Sequence, residues 1–186
     1  MKTNNILFKG AIGKLGDIYI RTVRGQTHLV KRPAKRSHLS EKQISIVSKF
    51  QAASQYAKRQ LELEDVRELY ESGITDKKHT AYLVAVTDYM TAPTVHCIDE
   101  ARYHGTPGDT IIVKASDDFM VTSVKIAIIG NDGTTLEEGE ALLNPRKINR
   151  WKYKATVANP PVAGTTIKAT AFDLPGNATS LEKTIK

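Results

Sequence analysis

The sequence predicts an α+β protein with a basic β-hairpin arm (residues 1–38), a small helical region (39–93) and an antiparallel β-sandwich (94–186). Three observations predict this division. The first 43 residues carry ten basic and two acidic side chains, whereas the rest of the chain carries 17 and 18. Apolar residues then recur at helical spacing, and from about Thr94 their period changes to two.

The net charge of +7 therefore belongs to the arm, on a body that is nearly neutral. Such asymmetry predicts a partner with an acidic surface, either a nucleic acid or a protein. The alternative is a solvated face that serves solubility.

The arm contains two runs of β-branched, aromatic and basic residues, Ile18–Arg24 and Thr27–Lys31. Gly25-Gln26 between them predicts a hairpin with a II′-type turn. Because two strands alone are only marginally stable in water, the hairpin is expected to pack on the rest of the chain or on another subunit.

A first helix is predicted from Ser40, which forms a capping box with Gln43, while Leu39 and Ile44 form a hydrophobic staple. An apolar stripe follows on one helix face, made of Ile44, Val47, Phe50, Ala53, Ala57 and Leu61.

Two shorter helices are expected next. The second spans Asp65–Ser72 and is closed by Gly73 in the left-handed conformation. The third spans Lys77–Met90, capped by Thr75 or Asp76, with Asp88 on the same side as its apolar residues.

About seven short strands separated by turn signals fill the C-terminal half, a pattern typical of an immunoglobulin-like (Ig-like) sandwich. The predicted strands are 95–99, 109–115, 121–129, 135–142, 151–157, 165–172 and 179–185. The predicted inward residues are Val113, Ile126, Ile128, Trp151, Tyr153 and Ile167.

The C-terminal half resembles bacterial Ig-like or fibronectin-III-like modules. Asp117-Asp118-Phe119 before a Val-x-x-Val strand, Trp151-x-Tyr153 and Ala171-x-Asp173-x-Pro-Gly-Asn177 carry this resemblance. It implies the sandwich fold and leaves the function open, because such sandwiches serve many roles.

The N-terminal half resembles the openings of uncharacterised proteins from bacterial genomes and phage-like elements. The residues that carry this resemblance are Gly13-Lys-Leu-Gly16, Arg24-Gly-Gln-Thr27, Lys31-Arg-Pro33 and Ser40-x-x-Gln43. It implies a context in particles or tail-like assemblies and no particular activity.

No catalytic motif emerges from the sequence, and no cofactor is predicted. Cys97 is the single cysteine, which excludes an internal disulfide; strand alternation predicts a buried Cys97 and a surface His96. In an Ig-like strand order, the loops at residues 117–118 and 173–177 lie at the same end of the sandwich. There Asp117, Asp118, Asp173 and Asn177 offer oxygen ligands to calcium, the alternative being that they cap their own turns.

The sequence as a whole favours a non-enzymatic structural or assembly protein, such as a subunit of a phage-like or other multi-subunit particle. Its partners are expected to be other protein subunits, including copies of itself. It is expected to be located in the cytoplasm and not to bind a membrane. The predicted partner-binding residues are Lys14, Ile18, Tyr19, Ile20, Arg21, Val23, Arg24, Leu29, Lys31 and Arg32. The alternative is a nucleic-acid-binding protein whose arm contacts phosphates.

Overall fold

The computed structural model of the protein describes residues 2–3, 12–23, 25–31 and 38–186. The chain divides into two compact units, Met1–Ile44 and Ser45–Lys186. The predicted boundary at residue 94 does not separate units, since the helical region and the C-terminal strands belong to the same one. The α+β class is confirmed, with three helices and antiparallel strands in the described residues.

The N-terminal unit contains a four-stranded antiparallel sheet, hereafter the arm sheet. Its strands are β1 (Lys2–Thr3), β2 (Gly13–Leu15), β3 (Ile18–Val23) and β4 (Gln26–Lys31), and their order is β1-β4-β3-β2. The predicted hairpin is its centre. Two further short strands were not predicted: β1 pairs with β4, and β2 pairs with β3.

The turn of this hairpin differs from the predicted one. Val23 pairs with Gln26, so that Gln26 belongs to β4 and not to the turn. Gly25, with φ of 72°, directly precedes this strand. The predicted Gly25-Gln26 turn is therefore wrong. Arg24 lies outside the described residues.

Helix α1 (Glu41–Gln60) begins where the capping box predicts. The Ser40 N–H donates to Gln43 Oε1 at 3.1 Å, and the Gln43 N–H donates to Ser40 Oγ at 3.4 Å. Two backbone donors of the first turn are thus satisfied by the two side chains, which confirms the capping box.

Helix α2 (Glu64–Ser72) confirms the second predicted helix, but its end differs from the prediction. Gly73 has φ of −88°, so that it does not adopt the left-handed conformation. It lies against the Phe119 ring, where a Cβ would come within 2.6 Å of a ring carbon. The glycine is required by close approach rather than by its backbone angles.

Helix α3 (Ala81–Met90) begins four residues later than predicted. Thr80, and not Thr75 or Asp76, is its N-cap, and Thr80 Oγ1 accepts a hydrogen bond from the Leu83 N–H at 3.2 Å. The two earlier candidates are also good capping types, and the sequence alone did not distinguish three polar residues that precede one apolar run.

Seven strands follow the helices in one antiparallel sheet, hereafter the body sheet, with the order β11-β10-β7-β8-β9-β6-β5. The strands are β5 (Thr94–Arg102), β6 (Thr110–Ser116), β7 (Val121–Ile129), β8 (Thr135–Leu143), β9 (Arg150–Lys154), β10 (Thr166–Asp173) and β11 (Ala178–Thr184). All seven predicted strands are present.

The body sheet curls around one hydrophobic cluster, so that its two edge strands approach each other. Lys183 of β11 donates to the Ile98 carbonyl of β5 at 3.1 Å and forms an ion pair with Glu100. The cluster includes every residue predicted to point inward, which are Val113, Ile126, Ile128, Trp151, Tyr153 and Ile167. The alternation of apolar and polar residues therefore located the core correctly.

Strand β5 departs from regular alternation at His96. Val95 pairs with Ala115 and Cys97 pairs with Lys114, so that His96 is an extra residue and forms a β-bulge. His96 and Cys97 both lie on the exposed face. The predicted burial of Cys97 is therefore wrong, because the bulge resets the alternation before Ile98.

A second hydrophobic cluster joins the helices to the strand-bearing part of the same unit. Ala53 and Ala57 of α1, Tyr70 of α2 and Val84 of α3 are fully buried in it. Phe119, from the loop between β6 and β7, packs against this cluster. The helices thus share their packing with loops of the body sheet, which explains why they do not form a unit of their own.

Candidate functional site

The arm sheet has two chemically different faces. Residues that pair directly across antiparallel strands lie on the same face, and successive residues alternate between faces. One face, the apolar face, carries Ile18, Ile20 and Thr22 of β3 opposite Lys31, Leu29 and Thr27 of β4. The hydroxyls of Thr22 and Thr27 lie 3.3 Å apart, in agreement with this assignment.

The opposite face, the basic face, carries Lys14, Tyr19, Arg21, His28 and Val30. Lys14 pairs with Tyr19, Tyr19 with Val30, and Arg21 with His28. Lys14 and Arg21 are exposed, whereas Tyr19, His28 and Val30 are half-buried. Val23 and Gln26 extend this face toward the turn.

The register divides the predicted partner-binding residues between the faces. Ile18, Ile20, Leu29 and Lys31 belong to the apolar face, and Lys14, Tyr19, Arg21 and Val23 to the basic face. Arg24 and Arg32 lie outside the described residues. The sequence predicted these residues as one binding set, because the division between the two faces depends on the register of the paired strands.

The arm sheet buries little of its apolar surface. Ile18 and Val23 remain 41% and 44% exposed, and Thr27 is the one buried residue among the arm-strand positions whose exposure the structure describes. Both clusters of buried hydrophobic residues in the described part of the chain draw on positions from Ala53 to Ile185. The arm sheet thus has strand geometry without a described core of its own.

Helix α1 shows the same contrast within one element. The C-terminal part of its predicted stripe, Ala53 and Ala57, is fully buried. The N-terminal part, made of Ile44, Val47 and Phe50, is 45–54% exposed. The sequence predicted one continuous apolar face, and the structure covers only half of it.

A second feature of interest is a group of three carboxylates, hereafter the carboxylate cluster, formed by Asp88, Asp117 and Asp173. One oxygen of each lies within 4.8 Å of the others. Asp88 comes from α3, Asp117 follows β6, and Asp173 ends β10. Asp88 and Asp173 are buried, and Asp117 is half-buried.

Two of the four predicted calcium ligands, Asp117 and Asp173, thus lie together, and the other two have different contacts. Asp118 forms an ion pair with Lys78. The Asn177 side-chain amide donates to Asp173 Oδ2 at 2.7 Å and to the carbonyl of Tyr89 at 3.2 Å. Asp118 and the Asn177 amide nitrogen therefore do not converge on the cluster as ligands.

Turn capping, the alternative for the same loops, is also present. Asp117 Oδ2 accepts hydrogen bonds from the backbone N–H groups of Phe119 and Met120, at 3.0 and 3.2 Å. Asp173 Oδ1 accepts from the Asn177 N–H at 2.6 Å. The bonds to Asp117 use only its Oδ2 atom and leave Oδ1 out of the turn.

Asp88 is the member of the cluster that the sequence did not predict as a ligand. Its position on the apolar side of α3, beside Val84 and Ala85, was the available signal, because a carboxylate on a buried helix face needs a partner. That partner is Tyr70, whose hydroxyl donates to Asp88 Oδ2 at 2.7 Å. The Tyr56 hydroxyl lies 2.9 Å from the Tyr70 hydroxyl and extends the chain of polar contacts.

Burial governs the electrostatics of the cluster. Desolvation raises the pKa of Asp88 to about 7, opposed by the Tyr70 hydrogen bond and assisted by the nearby charges of Asp117 and Asp173. Burial also raises the pKa of Asp173, against the hydrogen bonds from Asn177. The pKa of Tyr70 is raised for the same primary reason.

Among the described helices, none has the length and apolar character needed to cross a bilayer.

Comparisons with known proteins identify no family for this chain. No family model matches it, and no curated protein matches it. Among solved structures, a beta-glucuronidase of Bifidobacterium dentium, complexed with coumarin-3-O-glucuronide, is similar to part of the chain at 17% sequence identity, with a TM-score of 0.29. The match covers 51% of this chain and spans 17% of that enzyme. A likeness this distant says nothing about the activity of the chain.

Proposed function

We propose that the protein is a non-enzymatic structural or assembly protein that docks on neighbouring subunits through its arm sheet. The observation that carries the proposal is the division of this sheet into an apolar and a basic face, with exposed apolar residues and no described core. A small sheet of this kind gains stability when its apolar face is covered by another protein.

The apolar face is the part expected to supply most of the binding free energy. Removal of apolar surface from water contributes about 25 cal/mol per Å². Ile18, Ile20 and Leu29 lie side by side on this face, and Lys31 stands at its rim opposite Ile18. Charges at a rim chiefly affect the association rate and its salt dependence.

The partner that we propose is a second copy of this chain or a closely similar subunit. Residues 44–186 carry 18 acidic side chains and are nearly neutral overall, so that they offer acidic groups to a basic arm without general repulsion. The resemblance of the N-terminal half to phage-like proteins supports the proposal of a subunit in a particle or a tail-like assembly.

For the body, we propose an Ig-like sandwich. If β5 to β11 are named A to G, the observed order becomes G-F-C-D followed by E-B-A. Constant-type Ig domains place strands A, B, E and D in one sheet and C, F and G in the other. The difference lies only in β8, which here pairs with both β7 and β9.

A second candidate function, nucleic-acid binding, is favoured by the basic face. Lys14 and Arg21 are exposed on that face beside Tyr19. Phosphate contacts need basic side chains, and an aromatic ring provides a stacking surface for bases. The two functions use opposite faces, and this makes them separable by experiment.

The test uses two adjacent residues of β3 that lie on opposite faces. Ile20→Glu introduces a charge on the apolar face, and Arg21→Glu reverses a charge on the basic face. Molar mass by light scattering is measured for the full chain and both variants, at low and high salt. We expect Ile20→Glu to abolish association under both conditions. Arg21→Glu, on the opposite face, should leave association largely intact, with at most a small loss at low salt.

Unfolding followed by the fluorescence of Trp151 serves as the control, because this single tryptophan lies in the body. A wild-type chain that stays monomeric at all concentrations would contradict the assembly proposal. If the wild type is monomeric and retains single- or double-stranded DNA in a way that Arg21→Glu abolishes, nucleic-acid binding becomes the function of the arm.

A further inference from the structure

The carboxylate cluster contains buried oxygens that the described protein atoms do not satisfy. Asp88 Oδ1 and Asp117 Oδ1 are inaccessible to solvent and have no hydrogen-bond partner among the described residues. Asp88 itself is fully buried. An unsatisfied buried polar atom is expensive, and more so when it belongs to a group that carries charge.

The second oxygen of each of these two carboxylates is already in use. Asp88 Oδ2 accepts from Tyr70, and Asp117 Oδ2 accepts from the backbone of Phe119 and Met120. These bonds fix how the two carboxylates are turned. They leave Asp88 Oδ1 and Asp117 Oδ1 buried without a partner, in residues whose carboxylates lie close together. The absence of hydrogen-bond partners for Asp88 Oδ1 and Asp117 Oδ1 is thus a separate observation from the short distances between the three carboxylates.

We propose that Asp88, Asp117 and Asp173 bind a hard divalent cation of the Ca²⁺ or Mg²⁺ class. Such ions prefer oxygen ligands, at about 2.3–2.6 Å for Ca²⁺ and 2.0–2.1 Å for Mg²⁺. Two ligands on opposite sides of one ion are therefore about 4–5 Å apart, and the oxygens of the cluster lie within 4.8 Å of one another. Water completes the coordination, as is usual for ions held by few protein ligands.

The position of the three residues gives the ion a structural role. Asp88 belongs to α3, whereas Asp117 and Asp173 lie at the ends of strands β6 and β10. A shared cation would hold the helix against these strand ends, beside the Asn177 amide, which already donates to the Tyr89 carbonyl at 3.2 Å. Tyr70 and Asn177 are positioning residues, because each holds a carboxylate and neither offers an oxygen to the ion.

A bound proton is the competing way to satisfy the same oxygens. A proton on Asp88 would let it donate to Asp117 and so relieve both unsatisfied atoms at once. A cation and a proton would satisfy the same buried oxygens, so that they compete for this position. The experiment must separate these two occupants.

The test is thermal unfolding of the full chain near neutral pH, first with a chelator and then with Ca²⁺ or Mg²⁺ alone. We expect a rise in the melting temperature that grows with the logarithm of the cation concentration, about 5–10 °C at one hundred times the dissociation constant. The cation that gives the larger rise identifies the ion. Asp88→Asn is expected to abolish the rise.

Asp118→Asn is the matched control, since Asp118 is adjacent in sequence to a proposed ligand but pairs with Lys78. It should retain the cation-dependent rise. If Asp88→Asn does not fold, Tb³⁺ luminescence sensitised by Tyr70 in the wild type, and its competition by Ca²⁺, measures binding directly. No rise with either cation, a rise that Asp88→Asn leaves unchanged, or stabilisation by acid alone would overturn the proposal.

Discussion

The arm sheet and the body sheet use the same pairing rules but differ in what they bury. Both are antiparallel, and in both successive side chains point to opposite faces of the sheet. The body sheet has seven strands and encloses a cluster in which Ile111, Val124 and Ile167 have no exposed surface. The arm sheet has four short strands, and its apolar side chains remain partly exposed.

Alternation of side chains is enough to form a strand. The number of strands decides whether a sheet can curl and cover its own apolar face. Seven strands suffice to bring the two edges of a sheet together, as the contact between Lys183 and Ile98 shows. In the described part of the arm, four short strands leave apolar side chains such as Ile18 and Val23 exposed. The exposed apolar residues of the arm sheet, and not its charge alone, therefore support its proposed role in assembly.

Deleting a core side chain should produce the largest contrast between the two sheets. Ile126→Ala in the body is expected to lower the free energy of unfolding by about 2–5 kcal/mol, because it leaves a cavity. Ile20→Ala in the arm should leave the unfolding midpoint reported by Trp151 unchanged, since the arm belongs to a different unit. Chemical denaturation of both variants checks this, and equal losses would show that the two units unfold together.

A methyl group at Gly73 tests whether the helices belong with the body. In Gly73→Ala the new methyl would meet the Phe119 ring at 2.6 and 2.8 Å, and such overpacking costs about 1–3 kcal/mol. We expect the loss to appear in the same transition that Trp151 reports. Glu71→Ala, at an exposed position of α2, is the control and should have little effect.

Removal of the cap of α1 should have a smaller effect. Ser40→Ala leaves the Gln43 N–H without its side-chain acceptor and is expected to destabilise the protein by about 0.5–2 kcal/mol. Ser48→Ala, at an exposed position inside the same helix, should be neutral or slightly stabilising. Circular dichroism during unfolding measures the loss of helix in both variants. Identical unfolding curves for Ser40→Ala and the wild type would contradict the observed helix start.

The smallest effect is expected at a turn of the body. The backbone N–H groups of Thr106 and His104 donate to Asp109, and these bonds hold the pKa of its carboxyl below the usual value. The associated stabilisation is present above the pKa of the unfolded chain and is lost as the pH falls through the lower folded pKa.

Asp109→Asn should therefore weaken the dependence of stability on pH in the acid range. Glu138→Gln, at an exposed position of β8, is the matched control. Melting temperatures measured as the pH is lowered below about 4 check the prediction. Parallel curves for the wild type and Asp109→Asn would show that these hydrogen bonds do not distinguish the folded from the unfolded state.

Much of the body could be predicted from sequence, because its signals are local and repeated. Alternation located all seven strands and six core residues, and the spacing of Ser40 and Gln43 located the start of α1. The predictions failed where a single residue changes the register. The extra residue His96 leaves Cys97 exposed, and Gln26, predicted in the turn, is the first residue of β4.

The candidate sites were harder to predict, since they depend on contacts between distant residues. The proximity of Asp117 and Asp173 followed from an expected strand order, but nothing in the sequence places Asp88 beside them. Similarly, the arm residues were identified by composition, whereas their division into two faces required the strand register. Charge and periodicity are properties of segments, and a site is a property of the fold.

The bulged strand β5 has one more consequence, which concerns aggregation. An edge strand with free N–H and C=O groups invites strands of other molecules to add to it. The register of β5 shifts twice, near His96 and between Asp99 and Arg102, and such irregularities break the template that an added strand would need. Because Lys183 of β11 donates to the Ile98 carbonyl, β5 also offers one acceptor fewer to a strand of another molecule.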